Sequence, residues 1–433
     1  KFEKIKAPMH ILKNGMLCFA CFTLIHFIAF STHPCPKVDE SDVSKSVFAD
    51  TKGGAGGEII RVTNLKANGE GSLRHALNVK GPRIIVFEVG GVIDLAKNGI
   101  AIYEPWVTIA GQTAPSPGIT IIRGGISIRT HDVIIKHLMV RPGDAGEPKK
   151  SGWETDGISA YGCNAYKILI EHCSVTWATD ENLSVSGPRL KGPDSTSHRV
   201  TVSNCLVAEG LSHSTHRSGE HSKGSLIHDN CRNILINRNL YAHNMRRNPY
   251  YKTAATGIIA NNLIYNPGKG AIHSYWVEHE WEGHPEPPFA KISIVGNVMV
   301  PGPDTRAESF ISANHAELYI KDNQIKGNII NMQMTSGSFR EVDNPTVWCD
   351  EMSVLNSDKV YVYVLSNAGA RPAKRDSVDQ RIINGVRTRE GSIIDSQEEV
   401  GGYPNPQPVH RKLTIPDKNV QEWLEKMAEE VER

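Results

Sequence analysis

Ile168-Leu-Ile-Glu-His-Cys173, Val200-Thr-Val-Ser-Asn-Cys205, Ile234-Leu-Ile-Asn-Arg-Asn239 and Ile292-Ser-Ile-Val-Gly-Asn297 are copies of one short pattern. Each is an apolar, β-branched alternation with Asn or Cys three places past its central apolar residue. Ile258-Ile-Ala-Asn-Asn262 and Leu318-Tyr-Ile-Lys-Asp-Asn323 continue the series, and Val107-Thr-Ile-Ala-Gly-Gln112 and Val133-Ile-Ile-Lys-His-Leu138 open it. The anchor positions 112, 138, 173, 205, 239, 262, 297 and 323 are separated by 26, 35, 32, 34, 23, 35 and 26 residues. A minimum near 23 with irregular excess describes a fixed coil that carries loops of variable length. No amphipathic helices lie between these strands, as a doubly wound α/β fold would need. Short strands that return at one phase stack as a parallel β-helix, each coil covering its neighbour's apolar interior. The other all-β option is a β-sandwich. In the stacked fold same-phase residues lie about 4.8 Å apart, so Asn239 and Asn262 are expected to join in a side-chain hydrogen-bond ladder.

The rest of the chain fits around that body. Its 433 residues carry 48 Lys+Arg against 47 Asp+Glu, a formal net charge of +1, which excludes a polybasic nucleic-acid binder. At 39% hydrophobic residues it is no disordered chain. Lys1, Lys4, Lys6 and Lys13 precede the apolar run Met16 to Phe30, so residues 1–35 are expected to be a secretory leader, with a membrane anchor as the other reading. Cys18, Cys21 and Cys35 lie in or near that leader. Cys163, Cys173, Cys205, Cys231 and Cys349 are scattered and odd in number, which predicts mostly buried free thiols. The β-helix is expected over residues 36–330. Residues 331–433 are expected to wrap or cap it, with a charged stretch from Lys374 to Gly402 and an amphipathic helix opening at Val420.

Between residues 154 and 252 the polar residues cluster. Relative to Ile170, Asp156 stands at minus 14 and Asp180 at plus 10; relative to Ile236, Lys223 stands at minus 13 and Arg247 at plus 11. The near-repeat predicts acidic residues on one coil beside basic residues two coils along. An acidic cluster suits a hard cation and a basic one an anionic substrate, whereas the bland alternative is a surface ion-pair network. His213, His216 and His221 could bind a transition metal or supply a general base; the better reading is polar loop residues lining a carbohydrate groove. Trp153, Trp177, Tyr250 and Tyr251 are candidates for sugar stacking, although such rings in a solenoid more often pack.

The runs EHCSVTWATDENLS (171–184), HSKGSLI (221–227), NLYAHNMRRNPYYK (239–252) and NNLIYNPG (261–268) together resemble bacterial pectate lyases, as does the opening from Gly53 to Leu77. The likeness spans residues 48 to 325. It implies a right-handed parallel β-helix and a secreted, monomeric enzyme that takes an acidic polysaccharide, de-esterified homogalacturonan, and cleaves it by β-elimination. The family's Arg-x-Pro-x-x-Arg/Lys motif falls on Arg247, Pro249 and Lys252, which implies that Arg247 is the Brønsted base and that Lys252 binds a substrate carboxylate. Lys223 matches a further substrate contact, and Arg246 joins the same basic group. The implied calcium ligands fall on Asp156 and Asp180, and a third, usually Asp, falls on Ser184. A hydroxyl brings no negative charge, so Glu154 or Glu181 would have to compensate.

Elimination requires removal of the C5 proton alpha to the uronate carboxylate, and cations on that carboxylate acidify the proton. Arginine is an unusual base because it is ordinarily always protonated. Crowding by other cations disfavours its charged form, and the alternative role is to stabilise the enolate-like charge. Hydrolysis by paired acids is the neighbouring enzyme reading, but Asp180 and Glu181 are adjacent and would point to opposite faces of a strand. A β-helix carbohydrate-binding or adhesion protein is the non-enzyme alternative, and a lyase acting on another polyuronate is the third.

Overall fold

The repeated triplets form one continuous ladder. Strands Tyr166–Glu171, His198–Ser203, Arg232–Asn237, Thr256–Ala260 and Ala290–Val295 pair in parallel, with Ile170, Val202, Ile236, Ile259 and Ile294 in register. The structure, a computed structural model, describes residues 48–327 and 331–433. The expected leader and Cys18, Cys21 and Cys35 therefore lie outside the described residues. Each coil adds two more strands, so the chain visits three sheets in turn. The second sheet includes Ile158–Tyr161, Glu181–Ser186, Lys223–Ile227, Tyr250–Lys252 and Ile272–Tyr275. The third includes Ser174–Thr176, Leu206–Ala208, Leu240–Ala242, Leu263–Tyr265 and Val298–Val300. The result is a right-handed parallel β-helix, filled by Ile168, Val200, Ile234 and their stacked counterparts.

The corner between the first and third sheets explains the Asn and Cys anchors. The residue before each anchor turns the chain through a left-handed backbone: His172, Asn204, Arg238, Asn261, Gly296 and Asp322 have φ between 47° and 67°. That bend takes the anchor's amide out of the strand ladder, and the next coil's side chain receives it. Asn239 donates through Nδ2 to Asn262 Oδ1, Asn262 to Asn297 and Asn297 to Asn323, each at 3.0 Å. The same oxygens accept the backbone amides of Asn239, Asn262 and Asn297 at 2.9 to 3.0 Å. The ladder expected for two residues thus runs through four, and it satisfies buried polar groups that a bare corner would strand. Cys173, Cys205, Cys231 and Cys349 are buried free thiols, as expected of most of the five, and Cys163 is the disulfide-bonded exception.

Past residue 331 the strand Gln333–Glu341 still pairs with Ser309–Lys321. Two helices follow, α1 (Ser357–Asn367) and α2 (Ser377–Thr388). Their Val360, Val364, Ile382 and Ile383 pack over Leu206, Leu240, Leu263 and Val298 on the outside of the third sheet. Helix α2 lies within the charged stretch where sequence reading placed no helix. Its apolar face is Val378, Ile382, Ile383 and Val386, and Asp376 caps its start by accepting the Asp379 amide. Arg141, fully buried, holds that cap through Asp376 at 2.5 Å and Asp379 at 2.9 Å. The terminal helix α3 (Val420–Glu432) forms where periodicity predicts it and lays Leu424 against Ile84, Val86 and Ala110 outside the first sheet. The tail therefore lies along the flank of the coils. No helix among the described residues is long and apolar enough to cross a membrane.

Candidate active site

The polar cluster sits on the outer face of the second sheet. Register sets Glu181 beside Lys223 and Ser159 beside Ser184, and Lys223 bridges to Arg246. The pairing of Ile158 with Leu183, carried two residues back, brings Asp156 alongside Glu181. Lys223 thus stands two coils past Asp156 and Arg247 two coils past Asp180, the spacing read from the offsets, and Glu181 beside Lys223 adds a contact between neighbouring rungs. Asp156, Asp180, Glu181, Arg247, Tyr250 and Lys252 line a cavity of about 530 Å³. A shallower groove of about 380 Å³ continues past Asp156 along Arg129 and Glu154.

One wall is acidic. Single carboxylate oxygens of Asp156, Asp180 and Glu181 lie within 4.8 Å of one another. Asp156 is held by the Ser184 hydroxyl at 2.5 Å and the Glu181 amide at 3.1 Å. Burial first, and then the Asp180 charge, push its carboxyl up to about 7. Burial alone would raise Asp180 too, but the hydrogen bond from His221 and the charges of His221, His216 and Arg247 outweigh it and leave Asp180 below its ordinary value. Ser184 thus acts on Asp156 as a donor. Glu154 stands apart from the three carboxylates, accepting the Arg217 amide at 3.0 Å and facing His216 Nε2 at 3.9 Å.

The opposite wall is basic. Arg247 has a left-handed backbone, φ 65°, and its carbonyl accepts the Ser225 amide at 2.6 Å. Gly224 makes that approach possible, because a Cβ there would lie 2.4 Å from the Arg247 carbonyl oxygen. The Arg247 guanidinium pairs with Glu181 and lies 5.7 Å from the Tyr250 ring centroid. Burial lowers its pKa, and the nearby charges of Asp180 and Asp156 oppose that shift. Lys223 has no carboxylate at ion-pair distance among the described residues, and burial followed by the Arg246 charge lowers its pKa to about 8. Arg246 is exposed beside it. Lys252 is nearly buried and already paired with Glu280, with Asp229 at 3.6 Å.

Of the three loop histidines, His216 and His221 reach the site and His213 turns away to Asp395 at 3.3 Å. The two rings stack at 3.8 Å, and His221 Nε2 is 2.8 Å from Asp180 Oδ1. The Ser218 amide donates to His216 Nδ1, which leaves that ring's proton on Nε2, facing Asp180 and Glu154. His216 faces those carboxylates at 3.9 Å, and with His221 and Asp180 it forms a second group whose ligand atoms lie within 4.8 Å of one another. Among the aromatic candidates, Trp177 and Tyr251 are fully buried and bonded inward, to Glu209 and to the Ile234 carbonyl. Trp153 donates to the Gly143 carbonyl at 3.1 Å, and Tyr250 lines the cavity.

Sequence reading missed the residues that hold these groups. Asn182 donates to Asn244 Oδ1 at 3.2 Å and Asn244 to Asn248 Oδ1 at 3.0 Å, an internal relay that ties the Glu181 rung to the Arg247 turn. Arg189, Asp229 and Glu280 lie around Lys252, and Arg129 continues the groove. The asparagines were visible inside the quoted motifs, whereas Arg189 and Glu280 sit on loops whose return to the sheet no spacing announces.

No family model matches the chain. Among curated proteins it is similar to the probable pectate lyase C of Aspergillus flavus, 31% identical over 397 residues that cover 88% of this chain and 84% of the relative. It is also 32% identical to the probable pectate lyase C of Emericella nidulans, over 82% of this chain and 77% of the relative. These relatives are fungal, where the motifs suggested bacterial ones. Among solved structures, the major allergen of cedar pollen is similar at 17% identity, with 72% of this chain and 89% of that chain covered and a TM-score of 0.52. A pectate lyase bound to a hexasaccharide is similar at 16% identity, with 75% and 95% covered and a TM-score of 0.51. At these identities the structural likeness is one of fold.

Proposed function

The chain belongs to the pectate lyase family, a family of polysaccharide lyases, and from that premise we propose that it cleaves de-esterified homogalacturonan by calcium-assisted β-elimination with Arg247 as the base. The observation that carries this reading is the meeting of three carboxylates and a half-buried guanidinium in one open cavity. The donor set fits a hard cation: it is all oxygen, and it is crowded enough that Asp156 resists ionisation without a counter-charge. Asp156, Asp180 and Glu181 would hold calcium, with Ser184 orienting Asp156. Glu181 thereby supplies the third charge that Ser184 lacks. Bound there, calcium would neutralise a uronate carboxylate and acidify the neighbouring C5 proton.

The protein's own residues do the rest. Lys223, on the rung between the acids and Arg247, and Arg246, bridged to it from the Arg247 rung, have no carboxylate partner among the described residues and would take the charge of the substrate carboxylate. The charges of Asp156 and Asp180, and the ion pair with Glu181, are what keep the proton on Arg247. Neutralising those carboxylates weakens the opposition to burial, so the guanidinium would release its proton to solvent more readily and take up the one from C5 as the C4–O bond breaks and the new C4–C5 double bond forms. His221 fixes the orientation of Asp180. Secretion follows from the substrate, a polymer outside the cell, and from the leader-like sequence. We take the enzyme to work as a monomer.

The test follows the ultraviolet absorbance of unsaturated uronide ends during incubation with polygalacturonate. A rise that needs calcium, stops in chelator and falls by about 10³-fold or more in Arg247→Ala is the expected result. Reducing ends without that absorbance would mean hydrolysis, and binding without either product would mean a carbohydrate-binding protein.

A further inference from the structure

Arg189 and Lys252 direct their charged nitrogens at one atom, Oε2 of Glu280. The same two nitrogens face Oδ2 of Asp229, at 3.0 and 3.6 Å. Two cations and two carboxylates therefore close a square in the wall of the active-site cavity. The two carboxylates are not equivalent. Asp229 is fully buried, and it also accepts from Trp281 Nε1 at 3.0 Å and lies 2.7 Å from His228 Nδ1. Both of its oxygens are engaged, Oδ1 by Trp281 and Oδ2 by Arg189 and His228. Glu280 has no side-chain partner beyond the two cations among the described residues, and its side chain keeps 27% of its exposure. It is carried by the short 3-10 turn Glu278–Trp281, which leads into an exposed loop through Gly283 and Pro285. Asp229 is fixed, and Glu280 is the exchangeable member.

A carboxylate held between a guanidinium and an ammonium is what the C6 carboxylate of a uronate would present at the same place. We propose that Arg189 and Lys252 form a uronate-carboxylate subsite that Glu280 fills in the free enzyme, so that substrate binds by displacing Glu280. The exchange conserves charge: one carboxylate leaves the square and another enters. A methyl-esterified residue cannot make that exchange, because it would leave two cations facing Asp229 alone. Glu280 therefore sets both the affinity and the preference for de-esterified polymer. This inference rests on the lyase reading for its choice of ligand, and its test is made on binding, without turnover.

Calorimetric titration with trigalacturonate would compare the parent chain with Glu280→Gln, Glu280→Ala and Arg189→Ala. A competitor that occupies the site lowers apparent affinity by the fraction of time it is absent, so both Glu280 variants are expected to bind roughly 3- to 10-fold more tightly. Arg189→Ala is expected to bind about 10-fold more weakly, and fully methyl-esterified trigalacturonate should not distinguish Glu280→Gln from the parent. On polygalacturonate the gain should appear in KM, with kcat held within about twofold. Two Glu280 variants guard against one that fails to fold, and circular dichroism reports that directly. Unchanged or weaker trigalacturonate binding in a folded Glu280 variant would overturn the proposal, as would an equal gain for the methyl ester. A parent chain that binds trigalacturonate but forms no unsaturated ends would overturn the lyase reading and leave the subsite comparison standing.

Discussion

Asp156 answers to several neighbours at once, accepting the Ser184 hydroxyl and the Glu181 amide while facing two further carboxylates. In chelator, Asp156→Asn is expected to melt slightly above the parent chain, because it removes one of three crowded charges. In calcium the order reverses. At a concentration one hundred times Kd the parent gains about 2.7 kcal/mol, and the variant gains close to none. Differential scanning calorimetry with and without calcium reads both effects, and an equal calcium gain in the two proteins would put the cation elsewhere. At this scale the sequence was informative where a side chain's role follows from its own rung. The acids and bases at 156, 180, 223 and 247 were found from offsets alone because the solenoid converts offset into position. Glu181 was legible only as a possible substitute for the missing charge at 184. Arg189 and Glu280 were illegible, since each reaches the square from a loop whose path depends on packing, here the burial of Trp281 against Asp229.

Among the elements, the corner ladder shows how a three-letter pattern dictates a coil. The Asn262 side chain makes four hydrogen bonds, two donated to Asn297 and the Ile236 carbonyl and two accepted from Asn239, while being fully buried. Its removal strands donors on both sides. Asn262→Ala is therefore expected to cost about 2–4 kcal/mol, and Asn323→Ala, at the partly exposed end of the ladder, about 1 kcal/mol. Chemical denaturation of the two variants gives the comparison, and equal losses would mean that the ladder contributes by packing alone. The strands of the first sheet were readable because β-branched alternation and anchor recur together. The second and third sheets were not separated, since strands such as Ser174–Thr176 and Tyr250–Lys252 are three residues long and carry no period of their own. Helix α2 was missed for a related reason: its four buried apolar residues lie among Arg, Asp, Gln and Asn, so the stretch reads as charged before it reads as amphipathic.

Across the whole molecule, the last residues of the chain return to its early coils, and the contact that fastens them is titratable. Glu432 on α3 faces two stacked imidazoles, His137 Nε2 at 3.3 Å and His172 Nε2 at 3.7 Å. Their Nδ1 atoms face the Ala370 and Gly369 carbonyls at 2.7 and 3.3 Å. Lys136 and Glu171, paired at 2.5 Å on the same rungs, complete the charged surroundings. The close approach of His137, opposed by burial and aided by the charges of His172, His137 and Lys136, holds Glu432 down at about 2 against an ordinary 4.5. Burial first, and then the His137 charge, lower His172 from 6.5 to about 4. Both shifts act in the same direction. The depressed carboxyl stabilises the docked helix above pH 4.5 and loses that contribution as pH falls through 2. The depressed imidazole contributes above pH 6.5 and loses its share as pH falls through 4. Docking of α3 is therefore expected to weaken steadily from about pH 6.5 downwards, and the solenoid, whose buried His198 and His273 are lowered to about 4 and about 3, loses stability over the same range but keeps its apolar stacking and asparagine ladder. Hydrogen exchange at pH 7 and pH 4, corrected for intrinsic rates, should show protection lost first over residues 420–432. Glu432→Gln removes the lower part of the profile and keeps the upper part that belongs to His172. Protection lost evenly along the chain would mean that the terminal helix unfolds with the coils and not ahead of them.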